Sequence, residues 1–181
     1  MKAYSINPET KELKSIDIEL QANTVYSFFS SILIDELESL NGHTIHTDAN
    51  AIENGKLPYF LGEQLLVGDA LIIGKDGLTE SDAWILENDL NNLINYDVPP
   101  FYSEVFKLLA GHDVNLYRLF KLDNEEQTEL NTEWVIYVFA IADEQTQDYF
   151  LNSLREVIDT KKDVKEFIIN MAKLAYNNSQ N

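Results

Sequence analysis

Cysteine is absent from the 181 residues, which excludes disulfides, thiol nucleophiles and thiolate metal sites together. Proline and glycine are scarce, at 4 and 7, so the chain is neither collagen-like nor a low-complexity linker. Long apolar runs are missing as well. The longest, over residues 134–142, is 9 residues, less than half of the roughly 20 that a membrane-spanning helix needs. Met1 to Pro8 contain no apolar stretch of the kind that directs secretion, and a cytoplasmic protein of bacterial type is the expectation.

Positive charge is also in short supply. There are 13 Lys and Arg against 31 Asp and Glu, a formal net charge of −18. Such a chain is repelled by DNA, RNA and anionic membrane surfaces, so none of these is expected as a direct partner. A basic protein is favoured instead. The acids do not signal disorder, because 45% of the residues are hydrophobic and 11% aromatic, ample material for a core.

Motifs of chemistry are few. Gly62, Gly68, Gly74 and Gly77 fit neither the dinucleotide nor the Walker spacing. Ser5, Ser30 and Ser31 lie outside any nucleophile elbow. The three histidines, His43, His46 and His112, show no metal-ligand spacing, and no metal or cofactor is expected. His46 and Asp48 would share one face of a strand, where a carboxylate can orient an imidazole for acid–base work. They are the catalytic candidates, set against the plainer reading of His43 and His46 as two ordinary histidines at the edge of a short strand. His112, after Gly111, reads as part of a helix C-terminus.

The pattern of elements predicts α+β, with a mixed or antiparallel sheet and amphipathic helices packed on it. A single domain over residues 1–181 is expected, with a weak lobe boundary near 98–100 at Pro99 and Pro100. The first segment reads as a hairpin turning at Asn7-Pro8-Glu9-Thr10. Residues 23–40 carry Val25, Phe28, Phe29, Ile32, Leu33, Leu37 and Leu40 at spacings of three and four, which predicts a helix. Residues 43–47 and 57–61 read as strands. The unbroken run Ala70 to Ile73 reads as a strand buried on both faces, which keeps a layered α/β arrangement with parallel strands as the alternative.

Further on, Thr79 or Ser81 would cap a helix bearing Ile85, Leu86, Leu90, Leu93 and Ile94, and Pro99-Pro100 would open another. Residues 115–122 and 132–142 read as strands. Two helices close the chain, the first capped by Asp143 and the second bearing Val164, Phe167, Ile168, Met171, Leu174 and Ala175. This last stripe could complete a homodimer as readily as a monomer core. The tail 177–181 is expected to fray.

Two stretches hold acids and no Lys or Arg. Residues 76–106 carry Asp76, Glu80, Asp82, Glu87, Asp89, Asp97 and Glu104. Residues 122–154 carry Asp123, Glu125, Glu126, Glu129, Glu133, Asp143, Glu144 and Asp148. The aromatic pairs Tyr59-Phe60, Phe101-Tyr102 and Tyr149-Phe150 should each expose a ring. The sequence therefore predicts a non-enzymatic protein-binding or adaptor module, with Asp76, Glu80, Asp82, Glu87, Asp89, Asp97, Tyr102, Glu125, Glu126 and Tyr149 on the partner face. A nucleic-acid mimic seated in the basic cleft of a DNA-binding protein is the alternative, and a hydrolase centred on His46 and Asp48 the third. Plain solubility also accounts for net charge.

Overall fold

The computed structural model describes residues 1–19, 24–31, 33–38, 40, 42–76, 79–114, 119–121, 127–129 and 132–179. The fold is α+β. The chain divides into two compact units, Met1–Ala51 with Lys56–Val98, and Ile52–Gly55 with Pro99–Asn181.

The first unit is built on antiparallel sheet. The hairpin β1 (Lys2–Asn7) and β2 (Glu12–Asp17) forms as its pattern predicts, with the Asn7 side chain accepting from the Thr10 amide across the turn. β3 (Ile34–Glu38), β4 (His43–Asp48) and β7 (Ala70–Asp76) complete the order β2-β1-β7-β4-β3. The short β8 (Thr79–Ser81) pairs with the end of β7. A second sheet holds β5 (Pro58–Leu61), β6 (Gln64–Val67) and β9 (Ile94–Asn95), with Pro58 at the first position of its strand, where a missing N–H is tolerated.

β7 is central and buried on both faces, but it runs antiparallel to β1 and to β4. The layered parallel alternative is therefore excluded. On one face Tyr4, Ile6, Ile45, Ala70 and Ile72 pack with Tyr59, Leu61, Leu66, Ala83 and Leu90. On the other, Ala3, Leu71 and Ile73 are covered by Ile16, Ile18, Val25, Phe28 and Phe29. Gly74 lies in β7 because a Cβ there would collide with the backbone carbonyl of Asp82.

Three sequence expectations are corrected. The helix foreseen over 23–40 is a short α1 (Thr24–Phe29) followed by β3. The chain turns between them at Ser30, whose φ of 53° is left-handed, and β4 supplies the backbone partners that make β3 a strand. Thr79 and Ser81 cap nothing, since both lie in β8; the helix there, α2 (Glu87–Leu93), begins later. Residues 132–140 are helix α4 (Thr132–Ala140) and not a strand.

The second unit is chiefly helical. α3 (Pro100–Leu109) opens on Pro100 at its first position and is followed by Gly111 at φ 82°, as the sequence predicts. α4 follows the short pair β10 (Leu119–Lys121) and β11 (Gln127–Glu129), so part of the strand expected over 115–122 forms and the rest lies outside the described residues. Asp143 caps α5 (Glu144–Asp159), its carboxylate accepting from the Thr146 amide at 2.8 Å. The same bonds hold its carboxyl below the usual carboxylate range. α6 (Val164–Ser179) extends through residues 177–179, where fraying is expected; residues 180 and 181 lie outside the described set.

Phe150, fully buried, centres the core of this unit. Its ring lies 4.7 Å from Phe139, 5.5 Å from Phe167 and 5.9 Å from Phe101. Mutually tilted rings at such distances add to the area they bury. Val164, Phe167, Ile168, Met171 and Ala175 of the α6 stripe are buried, while Leu174 is exposed.

Candidate functional site

The two histidines of β4 lie three residues apart and so point to opposite faces. His43 is buried and fully engaged. Its Nδ1 lies 2.7 Å from the Leu40 carbonyl, while its Nε2 accepts from the amides of Trp84 and Ile85 at 3.2 and 3.3 Å. That pattern requires the Nδ1–H tautomer. Its ring centre also lies 4.3 Å from that of Trp84, with the two planes inclined by 43°. The role is structural: His43 holds the segment after β8 against the sheet.

His46 differs. Its side chain is only 6% exposed, and Nε2 has no hydrogen-bond partner among the described residues. The nearest acid oxygen is Glu80 Oε1 at 3.7 Å, and Glu36 on β3 lies directly across the ladder. Burial holds the imidazole below its ordinary value of 6.5, and outweighs the pull of Glu36 and Glu80 in the opposite direction. Among the described residues no hydrogen bond joins the ring to Asp48. Asp48 Oδ1 accepts from the Ser31 hydroxyl at 2.8 Å and from the Asn50 amide at 3.0 Å. The turn that follows β4 uses Asp48 Oδ1 as its acceptor. Among the described residues no group of three or more His, Asp and Glu is placed to hold a metal ion.

His112 contributes its backbone, whose N–H donates to the Leu109 carbonyl at 3.0 Å past the end of α3.

The acidic stretch of the first unit lies on its surface. Asp76, Glu80, Asp82, Glu87, Asp89 and Asp97 are all exposed. Two of them have local duties. Asp82 accepts from the Lys2 amide at 2.8 Å, and Asp97 pairs with Lys11 at 3.3 Å. Glu87 and Asp89 sit in the first turn of α2, where the helix dipole favours negative charge.

Between Asp82 and Glu87 runs a segment that is neither helix nor strand and bends at Ile85, which the helical reading concealed. Ala83 is buried and Ile85 packs against the core cluster, while Trp84 is 52% and Leu86 68% exposed. Inward and outward residues are all apolar, so the alternation carries no signal in the sequence. Four hydrogen bonds fix the backbone: the Ala83 amide to the Lys2 carbonyl, the amides of Trp84 and Ile85 to His43, and the Tyr4 hydroxyl to the Ile85 carbonyl at 3.0 Å. Gly42 leaves room for the indole, since a Cβ there would come within 2.9 Å of the Trp84 ring.

The remaining foreseen partner-face residues separate. Tyr102 is buried in the core of the second unit, because α3 turns both Phe101 and Tyr102 inward, and it offers no ring to a partner. Tyr149 is 56% exposed on α5. Glu125 and Glu126, with Asp123, lie outside the described residues. Glu104 is paired with Arg155.

Searches against protein-family models, curated proteins and solved structures find no match to this chain. Among the described residues no helix is long and apolar enough to cross a membrane.

Proposed function

We propose that the chain is a non-enzymatic protein-binding or adaptor module that engages a basic partner through the acidic surface of its first unit. The observation that supports this reading is the placing of Trp84 and Leu86, exposed on a fixed backbone, beside the exposed carboxylates of Asp82, Glu87 and Asp89. Large apolar side chains beside a field of one sign are what a charge-steered interface requires: the field sets the encounter rate and the apolar anchors set the lifetime.

The test is capture of partners from the source cell by the intact chain and by a Glu87→Lys, Asp89→Lys variant, with His46→Ala as a second comparison. Both charge reversals are on exposed residues of one short helix. The expected outcome is a basic protein retained by the parent chain, lost from the double variant, and retained by His46→Ala. Retention by the double variant with loss from His46→Ala would contradict the reading.

A further inference from the structure

We propose that the anchor of this surface is the segment 82–86, and that its occupant is a stretch of a partner protein carrying both Lys or Arg and large apolar side chains. This inference rests on the protein-binding reading above and narrows it to one place and one partner chemistry.

Three features single out this segment. The first is preorganisation. With its backbone bonded at Ala83, Trp84 and Ile85, little conformational freedom remains to be lost when a partner docks, and that loss is a main cost of association. The second is the anchor itself. Trp84 is held on one side by the His43 ring and the bare backbone of Gly42, yet half of it faces outward, and Leu86, two residues further along the chain, is exposed as well. A rigid tryptophan with a neighbouring aliphatic is the composition of an interface hot spot.

The third feature is charge, which selects the occupant. Asp82, Glu87 and Asp89 flank the two apolar residues, and the stretch 76–106 contains no Lys or Arg. Lys2 stands nearby, 4.8 Å over the Tyr4 ring, and offsets one of these charges. The remaining field repels acidic segments and leaves neutral apolar ones without steering. A segment combining cations with apolar side chains satisfies both parts of the surface.

The probes are three synthetic peptides of equal length, alternating Lys-Leu, Lys-Ser and Glu-Leu, titrated into the full chain. Trp84 emission is read in a Trp134→Phe background, which leaves one indole. The expected result is a blue shift of Trp84 with Lys-Leu, binding about tenfold tighter than Lys-Ser, and no binding of Glu-Leu. Leu86→Ala should weaken the Lys-Leu complex by about tenfold, and its far-UV spectrum should match the parent, since the side chain is exposed. Asp82→Asn, which retains an acceptor for the Lys2 amide, should weaken binding less and flatten its dependence on salt. Lys-Leu binding that leaves Trp84 emission unmoved and ignores Leu86→Ala would overturn the anchor while leaving an acidic docking surface. Failure of every basic peptide to bind would overturn both.

Discussion

The two units differ in how their buried polar groups and their acids are partnered. The first carries 16 Asp and Glu against 5 Lys and Arg, the second 15 against 8. In the second, described ion pairs join acids of separate elements to bases: Arg155 to Glu104, Lys165 to Asp113 at 3.0 Å, and Lys162 to Glu156 at 3.9 Å. In the first, only Asp97 among the acids of residues 76–97 has a described pair with Lys or Arg. The buried side-chain atoms without a hydrogen-bond partner among the described residues also fall in the first unit: His46 Nε2, Tyr59 Oη, Ser81 Oγ and Tyr96 Oη. Burial drives the Tyr59 phenol well above its usual range. The contrast separates two uses of a fold. Among the described residues the second unit is centred on an aromatic cluster and leaves no buried side-chain polar atom without a partner, whereas the first holds four such atoms and a largely unpaired acidic stretch.

The largest expected effect is in the second unit: Phe150→Ala removes the ring shared by three neighbours and should cost about 3–5 kcal/mol, read as a fall in denaturant midpoint. A change under about 1 kcal/mol would show that the core is not organised around Phe150. In the first unit, Gly74→Ala forces a Cβ into the Asp82 carbonyl and should cost about 1–3 kcal/mol as overpacking. Because Asp82 precedes the Trp84 segment, the same variant should alter Trp84 emission.

A smaller effect is expected from His46. Its folded value lies below 6.5, so the unfolded chain takes up the proton first as pH falls. Stability is therefore fully present above about 6.5 and declines as pH drops from there towards the folded value. The groups that face the ring are Glu36 from β3 and Glu80 from β8, and α1 brings no charged side chain. His46→Gln should remove this slope, as measured by denaturant midpoints between pH 7 and 5; an unchanged slope would assign the pH dependence to other groups. The smallest effect belongs to the pair Glu104–Arg155. Both side chains are over 40% exposed, and a double-mutant cycle should return no more than about 1 kcal/mol, shrinking with salt.

Much of the fold was legible where local rules and tertiary packing agree. The Asn7–Thr10 turn, the doubly buried run from Ala70 to Ile73, Pro100 at a helix start and Asp143 at a cap are each local signals. The run Trp134 to Phe139 reads as strand because β-branched and aromatic residues dominate it. It folds as a helix because Val135, Ile136 and Phe139 then reach the core of the second unit together. Leu37 continued the helical spacing of Phe28 and Phe29, but pairing of β3 with β4 outweighed that pattern.

The site was legible in composition only. The acids of 76–97 were visible as a stretch, whereas Trp84 and Leu86 were hidden in a run with apolar residues on both sides. Glu36 and Glu80 come to His46 from other strands, which no spacing within β4 could reveal.

Carboxylate footprinting of the chain with and without its captured partner tests the central claim most directly, because it reports on both units at once. The account predicts protection of Asp82, Glu87 and Asp89 on binding, with Glu144 and Asp148 of α5 labelled as in the free chain. Protection confined to Glu144 and Asp148, with Asp82, Glu87 and Asp89 unchanged, would contradict it.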